Sequence, residues 1–157
     1  MVTVDPALKV CASKPPVLRV DLVAAAVSAV EAERGGPQRY YEINATAKLV
    51  NLFVVGATSG EVVPYVYLAD GGLSSTKPST GASGSTFVAA AIDIDPRKVT
   101  SCVTAQLPGA RIDNFDVLGG PNGAVQYSVI ATSTVGGQLI AVVDGDGAVQ
   151  SVEPVAG

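Results

Sequence analysis

The chain contains no histidine and no tryptophan. Without histidine it cannot assemble a Ser-His-Asp or Cys-His catalytic group, nor a histidine-based metal centre. Charge is also scarce: Asp, Glu, Lys and Arg make up 15% of the 157 residues, against roughly 25% in ordinary soluble domains. The ten Lys and Arg residues are scattered singly and the net charge is −4, so no basic stripe exists to neutralise phosphates or to dock on an anionic bilayer. Nucleic acid is therefore not an expected partner. No apolar run approaches the ~20 residues of a membrane-spanning helix, and no charged-then-apolar signal peptide precedes the body.

Cysteine is limited to Cys11 and Cys102, in different halves of the chain. Neither has a neighbour at zinc-ligand spacing. Two readings stand: a single disulfide, worth roughly 4–5 kcal/mol in the chain-entropy account for so long a loop, or two buried thiols acting as small hydrophobes. With few charges and many Ser, Thr and Gly residues, the composition points to an extracytoplasmic protein, if the native gene carries an export signal ahead of Met1.

What is present is apolar residue and turn chemistry. Hydrophobic residues make up 48% of the chain, enough to build a core, and 17 Gly with 10 Pro favour a β-rich fold punctuated by turns. Residues 1–20 hold Pro6, Pro15 and Pro16 and read as an extended arm, with a short strand at Val17–Val20. Asp21 is then a candidate N-cap for a helix whose apolar positions are Leu22, Val23, Ala26, Val27 and Val30, ended by Gly35-Gly36-Pro37. Strand patterns follow at Tyr40–Ile43, Lys48–Val55 and Val62–Leu68, and the Asp70-Gly71-Gly72 turn leads to Leu73. Pro64 marks the third pattern as an edge strand or a bulge.

After a polar link over 74–86 the order repeats. Phe87–Ile94 reads as a strand, Asp95 as an N-cap with Pro96 at the first helical position, and Val99, Cys102, Val103 and Leu107 as one helix face. Strands are predicted at Arg111–Val117, Ala124–Thr132, Leu139–Val143 and Ala148–Val152. The expected fold is α+β: two tandem units, residues 21–73 and 87–157, each one helix packed on a three- to four-stranded antiparallel meander.

Ala105-Gln106-Leu107-Pro108-Gly109-Ala110, then Val125–Ala131, then Leu139–Val152 with its Asp-Gly turn, resemble the PepSY domain. The first half is similar through Tyr41–Val55 and Val62–Leu73. Two such modules in tandem resemble the architecture of the β-lactamase inhibitor protein. The resemblance implies a secreted or envelope-associated module that binds or inhibits other proteins and carries no catalytic residues.

The constellations that could carry chemistry have plainer readings beside them. Asp93, Asp95, Asp113 and Asp116 form the densest acidic group, read either as a carboxylate pair or calcium site or as a cap and solvated strand edges. Asp144-Gly145-Asp146-Gly147 lacks the later ligands of a calcium loop and reads as a hairpin turn. Gly119–Gly123 has no helix after it to complete a phosphate cradle. Asn44-Ala45-Thr46 matches the glycosylation sequon, a short and common pattern. No cofactor, metal or catalytic residue is expected.

The best candidate surface is aromatic. Tyr65 and Tyr67 alternate onto one strand face, with Tyr40 or Tyr41 across from them, so Tyr41, Tyr65 and Tyr67 are the candidate anchors for a protein partner; the plainer reading has these tyrosines bridging sheet and helix in the core with their hydroxyls at the rim. The leading expectation is a non-enzymatic binding or inhibitor-like module. The alternative is a carrier holding a lipid or small apolar ligand between helix and sheet, in a cavity lined by Val50, Leu52, Val66 and Val129.

Overall fold

The computed structural model describes residues 18–155. A 3-10 turn at Val20–Leu22 runs into α1 (Val23–Arg34). Strands β1 (Arg39–Ala45), β2 (Leu49–Val55), β3 (Val62–Leu68), β4 (Leu73–Ser75) and β5 (Phe87–Val88) follow. A second 3-10 turn, Ala89–Ala91, precedes α2 (Pro96–Gln106). The chain continues as β6 (Ala110–Gly119), β7 (Val125–Ser133), β8 (Gln138–Val143) and β9 (Val149–Pro154).

Local chemistry explains the helix boundaries. Asp95 caps α2 by accepting from the Lys98 N–H at 3.2 Å, and Pro96 opens the helix, where its missing N–H costs nothing. Gly35 closes α1 in the left-handed region at φ +84, its N–H bonded to the Glu31 carbonyl. Asp21 does not cap α1: Leu22 holds that position, and Arg19 takes both Asp21 carboxylate oxygens at 3.0 Å. This ion pair holds the Asp21 carboxyl below its ordinary value. The expected strand at 17–20 is replaced, over its described residues, by the turn and by one backbone bond from Arg19 N–H to the Thr46 carbonyl.

The strands form a single antiparallel sheet of nine, in the order β4-β3-β2-β1-β6-β7-β8-β9, with β5 paired to the start of β1. This overturns the expectation of two tandem helix-on-meander units. The two meanders fuse where Glu42–Ala45 of β1 pair with Phe115–Leu118 of β6. The physical reason lies in the seam. Ile43 and Val117 are cross-strand partners, as are Ala45 and Phe115, and all four are fully buried. Opening the seam would expose these side chains together with a row of unpaired backbone groups on each strand.

Both helices lie on one face of this sheet. Tyr40 donates its hydroxyl to Glu31 of α1 at 3.2 Å, and Arg34 of α1 donates to the Tyr65 hydroxyl at 3.4 Å. At the far end of the sheet, Gln106 of α2 donates to the Gly147 carbonyl at 2.7 Å and accepts from the Val149 N–H. The approach there is close: a Cβ on Gly147, whose φ is +85, would lie 2.8 Å from the Val99 Cα. Alternation along the strands sends Ile43, Leu52, Val54, Phe115 and Val129 into the core beneath the helices, joined there by Val23, Val30, Val99 and Val103. Among the described residues no helix is long and apolar enough to cross a membrane.

Part of the polar stretch 74–86 is built into the sheet. Ser74 and Ser75 belong to β4, and Ser79 exchanges two backbone bonds with Val62 on β3. The chain then passes Ser85 so closely against Gly119 that a side chain at 119 would collide with the Ser85 carbonyl.

Candidate binding surface

Period-two alternation that fills one face of the sheet leaves the other to a second set of residues, on which no described helix packs. Register places one continuous row across its middle. Val66 pairs with Asn51, Asn51 with Asn44, Asn44 with Asp116, Asp116 with Ser128, and Ser128 with Val142. The next row runs Pro64, Phe53, Glu42, Leu118 and Gln126. A bulge between Tyr40 and Glu42 lets β1 send Tyr40 to the helix-covered side while Glu42 stays on the open side. The open face is thus polar at its centre and apolar on both flanks, with Leu68 and Ile140 among its exposed positions.

The centre is a hydrogen-bonded chain. Asn51 donates to the Asn44 side-chain carbonyl at 3.3 Å, and Asn44 donates in turn to Oδ1 of Asp116. Asn114 donates to the same oxygen at 2.8 Å. Asp116 is only 7% exposed, and burial pushes its carboxyl above the ordinary value against the opposing pull of the Asn114 and Asn44 amides. Glu42 is raised as well, first by burial and then by the charge of Asp116. No ion pair among the described residues engages either carboxylate.

The sequence-selected residues are distributed differently from the expectation. Tyr65 is 6% exposed on the helix-covered face, and Tyr67, on the same side, is half-buried against the core. Tyr41 occupies the bulge, half-buried. The three tyrosines therefore do not lie together on the open face. Tyr40 is buried, stacked on Phe87 at 5.8 Å, and burial together with the Glu31 carboxylate raises its hydroxyl far above the ordinary value.

The four clustered aspartates also separate. Asp95 caps α2, and the Asp93 backbone is bonded to the Tyr127 hydroxyl at 2.8 Å. Asp113 is bound by Arg111 at 2.8 Å and by Thr132 at 2.6 Å. Burial opposes ionisation of Asp113, but these two bonds outweigh it and its carboxyl lies below the ordinary value. Among the described residues no group of three or more acidic, Cys or His residues is placed to hold a metal. Asp144 accepts from the Asp146 and Ala148 N–H groups, which makes its segment a turn. The Asn44 amide of the sequon is engaged on both sides within the sheet.

The cavity expected between helix and sheet is not where it was placed. Val50, Leu52 and Val129 are fully buried in the core, and Val66 lies on the opposite face. A cleft of about 450 Å³ opens instead between α1 and the segment leading into α2, lined by Val20, Val23, Val27, Ile92 and Ile94, with Asp21 and Asp93 among its polar lining. Of the cysteine pair, Cys11 lies outside the described residues, while Cys102 is buried on α2.

Sequence reasoning passed over the central row. Its signal was present: Asn44 and Asn51 each interrupt an apolar strand, and Asp116 does the same between Phe115 and Val117. Only the strand register shows that these interruptions line up. Comparison of the chain with protein-family models, with curated proteins and with solved structures found no match.

Proposed function

We propose that the protein is a non-enzymatic, extracytoplasmic binding module, regulatory or inhibitor-like in role, that contacts another macromolecule through the open face of its sheet. The observation that carries this reading is the face itself: a broad surface of mixed apolar and polar residues with a polar centre, on which no described helix packs. Its mixed character suits recognition, since apolar flanks supply contact area and a polar centre sets register. The lack of histidine and the dispersal of the aspartates support a role without catalysis.

The test is position-specific photo-crosslinking in producing cells. A benzoyl-phenylalanine at Val66 or Ile140, on opposite flanks of the face, is expected to yield a discrete adduct. The same group at Val135, 93% exposed in the β7–β8 turn, is expected to yield none. Identical adducts from all three positions, or none from the face, would contradict the proposal.

The 450 Å³ cleft beside α1 supports a second reading, a carrier of a lipid or small apolar ligand. Native mass spectrometry of the purified protein is expected under that reading to show a bound apolar mass. Ala24→Trp, which would fill the cleft from its rim, removes it.

A further inference from the structure

The turn between β6 and β7 holds a reactive pair of residues that the sheet does not restrain. Asn122 is the one residue other than glycine with a positive φ among the described residues, at φ 57° and ψ 34°. Asparagine tolerates this left-handed conformation, which suits it to the turn. Residues 121–124 are exposed throughout, and no hydrogen bond among the described residues holds the Asn122 side-chain amide. Gly123 follows at φ +77, and a Cβ built there would meet nothing within 4 Å. The backbone nitrogen of Gly123 therefore has open space around it and no side chain of its own to hinder attack on the neighbouring carboxamide.

The chain's other asparagines are placed differently. Asn44, Asn51 and Asn114 lie on strands and precede Ala45, Leu52 and Phe115. Each spends its side-chain amide on a partner, Asn51 on Asn44 at 3.3 Å, Asn44 and Asn114 on Asp116. Strand pairing fixes the backbone about which each would have to turn. Ring closure at Asn122 also needs rotation away from ψ 34°, but the bonds that resist it belong to the turn. They run from Ala124 N–H to the Pro121 carbonyl at 3.1 Å and from Gly120 N–H to the Ala124 carbonyl at 2.7 Å. Exposed loop tips of this kind open at far lower free energy than the sheet does.

We propose that Asn122 is a site of spontaneous deamidation, with the Gly123 nitrogen as nucleophile and water as co-reactant. The Gly123 N–Cγ bond forms, the Cγ–Nδ2 bond breaks, and ammonia leaves with the proton of the attacking nitrogen, closing a succinimide ring. Water then opens the ring. Addition at Cγ gives aspartate; addition at the backbone carbonyl gives isoaspartate, in which the main chain runs through Cβ and Cγ. No oxidant or reductant takes part. Either product puts a new carboxylate in the turn, and isoaspartate also lengthens the main chain where the Gly120–Ala124 bond closes the hairpin. This inference stands apart from the open-face reading, although β6 and β7 are strands of that face.

The test incubates the whole protein in mildly alkaline buffer beside a synthetic peptide of residues 118–127. Digests are followed over time by mass spectrometry and by methylation with a protein isoaspartate methyltransferase. Replacement of the amide –NH2 by –OH is expected at Asn122, with a methyl-accepting isoaspartate in the same peptide. Asp70-Gly71, Asp144-Gly145 and Asp146-Gly147 can close the same ring, but they lose and regain only water, so the mass change separates them from Asn122. Asn122→Gly, which keeps the left-handed conformation without a carboxamide, is expected to lose both signals. No conversion at 122 while the synthetic peptide converts would show that the turn holds the pair apart and would overturn the inference. Equal conversion at Asn44, Asn51 or Asn114 would overturn the assignment to this turn. A mass change without methylation would overturn the isoaspartate branch.

Discussion

The seam between β1 and β6 makes a prediction that two independent units could not satisfy. Ile43 and Val117 face each other across it with no exposed surface, so truncating either removes buried methyl groups and leaves a cavity. Ile43→Ala is expected to cost about 2–5 kcal/mol. Val117→Ala removes the equivalent of two methylenes, about 1.6 kcal/mol of transfer free energy before any cavity contribution. Because the two side chains share one site, the second truncation enlarges a cavity the first has opened. The double variant should depart from additivity by about 0.5–3 kcal/mol. The assay is urea unfolding followed by far-ultraviolet circular dichroism, suited to a chain with no tryptophan. If Ile43→Ala leaves too little folded protein, Ile43→Val, at about 0.5–1.5 kcal/mol, completes the same cycle. A single transition with a clear coupling energy is expected. Two separate transitions, or additivity within about 0.3 kcal/mol, would refute the reasoning.

Other outcomes follow from the same structure. Asp116 and Glu42 both have folded-state values raised above the ordinary 3.8 and 4.5, so their contribution to stability is full below those values and is lost as pH rises through the raised ones. Asp116→Asn should therefore gain stability relative to the parent between about pH 3 and about pH 7, a trend read from melting temperatures; a constant difference would contradict it. Gly147→Ala meets both a left-handed backbone and the Val99 Cα, and should destabilise by more than Gly136→Ala, where φ is +93 but nothing lies within 4 Å; chemical denaturation ranks the two. Asp95→Ala should cost about 1 kcal/mol through loss of the α2 cap, measured in the same way. Of the two readings for Cys11 and Cys102, a bridge predicts no reactive thiol in denaturant without reductant and two with it, and the unbridged reading predicts two in both.

How much was legible beforehand depended on range. The α2 cap at Asp95-Pro96, the Gly35 terminus and the turns at Asp70-Gly71-Gly72 and Asp144–Gly147 are set within a few residues, and the chain writes them in plain turn chemistry. Asp21 misled because a second local interaction, the ion pair with Arg19, competes for the same carboxylate. The tyrosines had two readings, an exposed surface or a bridge between sheet and helix, and the structure places Tyr40 and Tyr65 in the second. Alternation correctly puts Tyr65 and Tyr67 on one face, but only the position of α1 decides that this is the covered face. The union of the two meanders was the least legible feature. Pairing β1 with β6 depends on contacts between residues some seventy positions apart, and the alternating pattern of each strand is the same whether its neighbour is a helix-capped edge or another strand. The polar row at the centre of the open face inherits that difficulty, because two of its members come from each meander.

Backbone nuclear Overhauser contacts across the seam test the single-sheet account most directly. Cross-strand contacts are predicted in the register Glu42 with Leu118, Ile43 with Val117, Asn44 with Asp116 and Ala45 with Phe115, with slow amide exchange along both strands. Absence of these contacts, with fast-exchanging outward amides on β1 and β6, would show two separate sheets and contradict the account.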